Sequence, residues 1–369
     1  MTEYDVAVIG GGPAGISAAL GALSAGARRV LLIERDDRLG GIPNQCAHRG
    51  FGLKYFGEEL TGSEYAGRLR KLVGMSVAEV RTGTAVLKIT KDRRILLSGK
   101  SLSEITAGAV VLASGCRERP IGTLAVTGAR PSGVFTAGAA QRMINLGGYD
   151  IGHKAVVLGS GDVGMIVSRE IKKRGGNVAA VIESRDVCGG LLRNRIDCLE
   201  AFNIPLIFCS TVTEIRSAGR ITGVTVKNLV TGALNAIECD TLIVSVGLIP
   251  ETELLDNDRA QMGKVFDFLS VCGNACYVHD TADDVTEESE RAGKRAADFA
   301  AGRISAAGGP QRSGENKKNA DSSVCLACPK QCVITEDAGG YDGMACGRPD
   351  PVFAGAPPVR EPSGYSRGL

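Results

Sequence analysis

Two stretches of this chain, 149 residues apart, are written in the same grammar. Residues 5–34 run DVAVIG, GGPAG, ISAALGALSAGA and RRVLLIE; in residues 153–183, after His153, the chain runs KAVVLG, SGDVG, MIVSREIKKRGG and NVAAVIE. Each is an apolar run, a glycine turn, a helix-length segment and a second apolar run, which predicts strand, turn, helix and parallel strand. The register is constant: Gly10 maps to Gly159, Gly12 to Gly161, Gly15 to Gly164 and Glu34 to Glu183. Two βαβ units of one design restrict the 369 residues to the α/β class with two doubly wound domains.

Each turn has the layout that a dinucleotide needs. The first glycine permits the sharp turn, the second admits a pyrophosphate to the backbone, and the third packs helix on strand. The helix N-terminus then faces the phosphates with the positive end of its dipole. An acid stands 24 residues after the first glycine in both copies, placed to accept a ribose hydroxyl. The other reading of either copy is an ordinary glycine turn. Further backbone approaches to a cofactor are expected at Ala113-Ser114-Gly115, at Gly247-Leu248-Ile249-Pro250 and at Gly273-Asn274, each closing an apolar run. Two dinucleotide sites in one chain imply an electron path between two redox cofactors.

Composition narrows the classes further. The 43 Lys+Arg and 41 Asp+Glu leave a formal charge of +2, which is no footprint for nucleic acid or an anionic membrane. No run approaches a membrane span, and MTEYDVAVIG opens on a strand where a signal peptide would carry a basic and then an apolar region. The cytoplasm is the expected compartment. Eight of the 12 cysteines are scattered singly and read as reduced, packed thiols. Strands are expected through 83–112 and 206–246, with turns at Ala218-Gly219 and Thr231-Gly232, and a helix over 283–301 with Asp283 as its cap.

The chain resembles the two-dinucleotide-binding-domain flavoproteins of the pyridine nucleotide:disulfide oxidoreductase superfamily, over roughly residues 4–303. The resemblance is carried by VIGGGPAG with Glu34, VVLASGCRERP, VVLGSGDVG with Glu183, and SVGLIP. GGIPNQCAHRGFG, EELTGSEYA, VCGNACYVHD and VTEESERAGK are similar to an NAD-linked subgroup found beside dehydrogenases of the glycerol-3-phosphate or 2-hydroxyacid type. The resemblance implies an FAD domain at 1–118 and 245–303, with an NAD domain inserted at 119–244. FAD would be held by Gly10, Gly12, Pro13, Ala14, Gly15, Glu34, Arg35, Gly41, Ile42, Ala113, Ser114, Gly115, Gly273 and Asn274. NAD(H) would be held by Gly159, Gly161, Asp162, Val163, Gly164, Glu183, Arg185 and Gly247. Two departures stand out. Asn274 replaces the usual Asp, and the stretch between Pro250 and Gly273 is short, which bears on FAD affinity.

The superfamily's disulfide form carries two cysteines after the Gly40-Gly41 turn. Here Cys46 stands alone and Phe51 takes the second place, so a dithiol reductase is not expected. Cys46 and His48 are the candidates near the flavin; the other reading is a packed thiol and a satisfied imidazole. His279 is a weaker candidate, His153 reads as surface, and Cys272 and Cys276 read as packing residues.

After a linker at 304–323, residues 324–348 hold Cys325, Cys328, Cys332 and Cys346; 349–369 is a Pro/Gly-rich tail. Four thiolates at this spacing suit a [4Fe–4S] cluster, with structural Zn or unligated thiols as the alternatives. The function expected is an FAD-dependent NAD(H) oxidoreductase passing electrons through this module to or from a partner flavoprotein dehydrogenase in a hetero-oligomer. The alternatives are a non-catalytic FAD-holding scaffold with Zn, and a stand-alone NADH oxidase or reductase of a small acceptor.

Overall fold

The computed structural model describes residues 2–255 and 267–304. The first repeat forms strand Thr2–Ile9, helix Pro13–Ser24 and strand Val30–Ile33. The two strands pair in parallel, Val8 opposite Leu32. The long strand Leu102–Leu112 lies on the other side of Thr2–Ile9, also parallel, and Leu269–Val271 pairs with its far end. The order across the sheet is Glu79–Arg81, Val30–Ile33, Thr2–Ile9, Leu102–Leu112, Arg94–Ser98, Ala85–Ile89, the last two joining antiparallel.

Alternation sorts the first strand between two cores. Val6 and Val8 pack under helices Pro13–Ser24, Gly62–Gly74 and Ala282–Ala300, and Ala7 and Ile9 pack on the opposite face with Ile95, Leu97 and Phe268. Both faces are dry, so these strands are continuous apolar runs. All four residues of Val30–Ile33 are at most 1% exposed, worth roughly 1.5–3 kcal/mol each against exposure. Helices Pro13–Ser24 and Ala282–Ala300 touch backbone to backbone, because a Cβ on Gly21 would overlap the Glu290 carbonyl and one on Gly293 the Ala18 carbonyl.

The second repeat forms strand Lys154–Leu158, helix Asp162–Lys173 and strand Asn177–Ile182. The parallel order is Val134–Thr136, Thr241–Val244, Lys154–Leu158, Asn177–Ile182, Leu206–Ile207. Helices cover one face. The other is covered by antiparallel strands Ser210–Ala218, Arg220–Asn228 and Leu234–Glu238, through Val212, Ile215, Val224 and Val226. The expected turns at Gly219 and Gly232 are where this meander reverses.

The chain crosses between the two sheets twice. The crossings pair with each other as an antiparallel ribbon, Cys116–Glu118 against Leu248–Pro250. A second seam joins residues 45–46 to helix Ala137–Asn145. Gln45 donates to the Gly138 carbonyl at 2.9 Å and to Gln141 Oε1 at 3.2 Å, and Asn145 donates to the Gln45 carbonyl at 2.9 Å.

One local expectation is corrected. The C-terminal helix of this body spans Ala282–Ala300 and is capped by Thr281, whose hydroxyl accepts the Asp284 N–H at 3.2 Å. Asp283 lies inside the first turn, 5% exposed, and accepts the Gly52 and Lys54 N–H groups at 3.1 and 2.9 Å. A hydroxyl one residue before the helical run is already in capping position, which frees Asp283 to pin a distant loop. Half of the short stretch after Pro250, at 256–266, lies outside the described residues, as do the linker from 305, the four-cysteine segment and the tail.

Candidate functional site

The two glycine turns are built by one set of contacts. In the first, a Cβ on Gly10 would overlap the Ala113 carbonyl, and one on Gly15 would overlap the carbonyl of Gly10 itself. In the second, Gly159 meets the Ser245 carbonyl, and a Cβ on Gly164 would lie 2.7 Å from the Ser245 Cβ. Gly10 and Gly159 hold φ of 105° and 96°, which only glycine adopts without strain. These four glycines are therefore needed by the protein's own packing.

The middle glycines differ. A Cβ on Gly12 would find only the Gly41 Cα, at 3.8 Å, and one on Gly161 would find Ser245 Oγ at 3.4 Å. Neither helix N-terminus is capped by a side chain. A glycine whose Cβ direction meets no clash, at a helix start that no side chain caps, lets a pyrophosphate reach the backbone, so the residues present fit a dinucleotide at each turn.

The two acids repeat as well. Glu34, 8% exposed, accepts the Gly11 N–H at 2.6 Å and the Asp36 N–H at 2.8 Å. Glu183, 5% exposed, accepts the Ser160 N–H at 3.0 Å, the Ser160 hydroxyl, and the Arg185 N–H at 3.1 Å. Burial works to raise the Glu183 carboxyl, but the Ser160 and Arg185 bonds outweigh it and hold the group below its ordinary value. Each acid thus fastens the second strand to its glycine turn through its carboxylate oxygens.

Around the first turn the structure gathers Gly10, Gly12, Ala14, Gly41, Ala113 and Gly273: Gly41 lies over Gly12, and a Cβ on Gly273 would stand 2.7 Å from the Ala14 Cβ. Pro13 opens the helix, Arg35 is exposed, and Ile42 is 62% exposed beside Gly41. Ser114 donates its hydroxyl to the Glu251 carbonyl at 2.6 Å, and the Gly115 carbonyl accepts the Glu251 N–H at 2.9 Å. Asn274 turns its oxygen to the His279 N–H at 3.0 Å and its amide to Cys116 Sγ at 3.8 Å. His279 lies 3.7 Å from Glu288, which accepts the Gly273 N–H at 2.8 Å. His153 is 86% exposed at the edge of its strand.

Around the second turn, Asp162 and the half-buried Val163 begin the helix, and Gly247 follows Ser245 on the ribbon side. Asp162 Oδ1 accepts the Leu191 N–H at 2.8 Å and the Asn194 amide at 2.7 Å, while the Gly189 N–H donates to Ser160 Oγ at 2.7 Å. Ser160, Ser245, Gly189 and Gly190 were not among the residues expected here. A signal for three of them was present in the sequence. The 149-residue correspondence continues past the acid, pairing Gly11 with Ser160, Gly40 with Gly189, Gly41 with Gly190 and Ile42 with Leu191.

Cys46 is 6% exposed, with Sγ 3.5 Å from the Ile42 carbonyl and 3.6 Å from Gln141 Oε1; burial pushes its thiol up to about 12. Treatment with an aromatic disulfide reagent at pH 8 should therefore leave Cys46 unmodified while the fold persists, as mapped by peptide mass analysis. His48 is half-buried against Phe51, ring centroids 5.2 Å apart, and burial with Arg169 and Arg193 pushes its imidazole down to about 4. Cys272 is fully buried, its thiol likewise pushed up to about 12 by burial. Among the described residues no cluster of His, Cys, Asp and Glu is arranged to hold a metal, and no helix is long and apolar enough to cross a membrane. Cys325, Cys328, Cys332 and Cys346 lie outside the described residues.

A sheet pair carrying two fitted dinucleotide turns defines a two-nucleotide oxidoreductase body. The chain belongs to the pyridine nucleotide-disulphide oxidoreductase family, which matches residues 4–266. FAD and a nicotinamide dinucleotide are the cofactors expected of that family. The chain is 24% identical over 303 residues to a subunit of the alkyl hydroperoxide reductase of Staphylococcus aureus, covering 78% of this chain and 55% of that protein. It is 28% identical over 270 residues to the alpha subunit of sarcosine oxidase of a Corynebacterium, covering 68% of this chain and 27% of that protein. The chain thus spans about half or less of the length of these relatives. Thioredoxin reductase of T. acidophilum has the same fold, with a TM-score of 0.65 at 22% identity over 83% of this chain and 100% of that one. Bacillithiol disulfide reductase of Bacillus cereus gives 0.63 at 19% identity, over 82% and 100%.

Proposed function

We propose that this chain is the nicotinamide-linked flavoprotein component of a larger cytosolic oxidoreductase. FAD occupies the first turn, in a domain made of 1–118 and 245–303, and NAD(H) the second, in the inserted domain 119–244. The observation that carries the reading is the duplicated bond from a buried glutamate to its glycine turn, Glu34 to Gly11 and Glu183 to Ser160. When bound, FAD supplies the exchange between a two-electron hydride and single electrons.

The protein's part is positioning. The backbone at Gly12 and Gly161 receives pyrophosphate, and Glu34 and Glu183, already oriented by backbone N–H donors, accept ribose hydroxyls with their remaining lone pairs. Cys46 keeps its proton and His48 stays neutral near pH 7, so neither serves as a charged relay. With Cys46 lacking a second thiol at position 51, the onward path is assigned to Cys325, Cys328, Cys332 and Cys346 as ligands of an iron–sulfur centre, Zn being the alternative. The partner is a dehydrogenase in a hetero-oligomer; both curated relatives are themselves named as subunits.

Anaerobic NADH should bleach the flavin of the isolated chain. NADPH should do so more slowly by about tenfold or more, the equivalent of ~1.4 kcal/mol. The cause is that Glu183 repels a 2′-phosphate while Arg185, its Nε 3.4 Å from that carboxylate, is already engaged. Equal rates would overturn the NAD assignment. A second reading, a scaffold with a closed nicotinamide site, is favoured by the Gly189–Leu191 loop bonded across Ser160 and Asp162. Failure of both nucleotides to bleach the flavin would select it.

A further inference from the structure

We propose that Ser160 is a positioning residue that keeps one oxygen of Glu183 from the ligand of the second turn, so that this turn holds a dinucleotide that comes and goes while the first retains its own. The inference rests on the oxidoreductase reading and adds to it the residue that sets the strength of nucleotide binding.

The two acids are similarly buried but differently occupied. A carboxylate offers about four lone-pair positions, two on each oxygen. Among the described residues, Glu34 accepts one N–H on each oxygen, from Gly11 on Oε2 and from Asp36 on Oε1. One position on each oxygen is left for a ribose diol. Glu183 Oε2, in contrast, accepts both the N–H and the hydroxyl of Ser160. Its Oε1 accepts the Arg185 N–H at 3.1 Å and, at longer range, the Ser184 hydroxyl at 3.3 Å and Arg185 Nε at 3.4 Å. Ser184 and Arg185 are exposed, so a ribose hydroxyl can displace their side chains into water. Ser160 is fully buried, and its hydroxyl is held from the other side by the Gly189 N–H at 2.7 Å. Oε2 is therefore closed. The second turn offers its ligand one carboxylate oxygen where the first offers two.

A pair of residues builds the difference. Along the 149-residue correspondence Ser160 replaces Gly11 and Cys188 replaces Leu39. A Cβ on Gly11 would overlap the Leu39 side chain and stand 2.9 Å from Glu34 Oε2, so the first turn excludes a serine. The shorter Cys188 leaves room for one, its Sγ lying 3.7 Å from the Ser160 carbonyl. The loops also return differently. Gly40 donates its N–H to the Gly11 carbonyl at 2.7 Å, whereas Gly189 donates to the Ser160 hydroxyl. Removing that hydroxyl gives the second turn the bonding pattern of the first, with the carbonyl of residue 160 as the acceptor for Gly189.

The test is calorimetric titration of the full purified chain, its flavin oxidised, with NAD⁺ and with the analogue lacking the adenosine 2′-hydroxyl. The proteins are the parent, Ser160→Gly and Ser160→Gly/Cys188→Leu. NAD⁺ does not react with oxidised flavin, so binding alone is read. Ser160→Gly should bind NAD⁺ about tenfold more tightly, the worth of one added hydrogen bond to a charged acceptor. It should bind the 2′-deoxy analogue no more tightly than the parent does, because a single hydroxyl is already served by Oε1. Flavin absorbance per protein should not change. A merely structural role for Ser160 would weaken both nucleotides instead. The double variant reproduces the residue pair of the first turn and carries the test where the single one does not accumulate. Equal NAD⁺ affinity in parent and variants, a loss, or the same gain for both nucleotides overturns the role of Ser160, while NAD⁺ binding by the parent leaves the oxidoreductase reading standing. No NAD⁺ binding by any of the three overturns the nicotinamide assignment of the second turn and this inference with it.

Discussion

A Gly12→Val protein should fold and purify without flavin, whereas Gly15→Val should fail to accumulate in folded form. The two positions are three residues apart and both are glycine, yet the structure gives them different duties. Gly12 has φ of −76° and ψ of −174°, an extended conformation that valine accepts, and its only near neighbour for a Cβ is the Gly41 Cα at 3.8 Å. The cost of the side chain falls on whatever approaches the backbone there, and by this reading that is the pyrophosphate of FAD. Bound flavin should drop to about a tenth of stoichiometric or less, read as visible absorbance per protein, with an unchanged circular dichroism spectrum. At Gly15 a Cβ would overlap the carbonyl oxygen of Gly10, so helix Pro13–Ser24 could not lie against strand Thr2–Ile9. A backbone overlap of that kind belongs with the substitutions that cost more than about 4 kcal/mol. Full flavin absorbance in folded Gly12→Val would show that the first turn is not the FAD site.

Cutting the chain after Arg303 should separate flavin reduction from delivery of electrons. All of the described secondary structure ends at Ala300, so the shortened protein keeps both sheets, both turns and the close helix packing of Gly21 on Glu290 and of Gly293 on Ala18. Arg303 itself stays, with its bonds to Asp298 and to the Ala25 carbonyl. NADH should bleach its flavin at the parent rate, while NADH-dependent turnover with the native partner falls by about tenfold or more. Anaerobically purified full-length protein should in turn contain iron and sulfide, and lose both when Cys328 becomes Ser. Full partner-coupled turnover by the shortened protein would take the cysteines off the electron path and move them to the structural Zn reading.

Both experiments probe features that were legible at very different levels. The turns were readable because a dinucleotide site is local: strand, glycines, helix and acid lie within thirty-odd consecutive residues, and spacing alone sets their relation. The meander at 210–238 was readable for the same reason, through alternation and the glycines at 219 and 232. The cap of helix Ala282–Ala300 was misread by two residues because Thr281 and Asp283 are both competent caps, and only the Gly52 and Lys54 N–H groups, more than two hundred residues away, decide which one is otherwise employed. The loop 188–191 was missed although its glycines repeat Gly40 and Gly41, since a loop's sequence does not say which turn it returns to.

What the sequence by itself determined is the duplicated α/β plan, the layout of two glycine turns with an acid 24 residues behind each, and Phe51 where a second cysteine would stand. Periodicity, spacing and residue type are properties of the linear chain and survive without knowledge of contacts. Tertiary structure alone decided that Glu34 and Glu183 are fastened to their turns, that Gly12 is spare where Gly15 is not, and that Gln45 bonds to helix Ala137–Asn145 across the seam. Each of these depends on the free energy of groups brought together from distant parts of the chain, where burial and the presence or absence of a partner set the charge and decide which donors stay open.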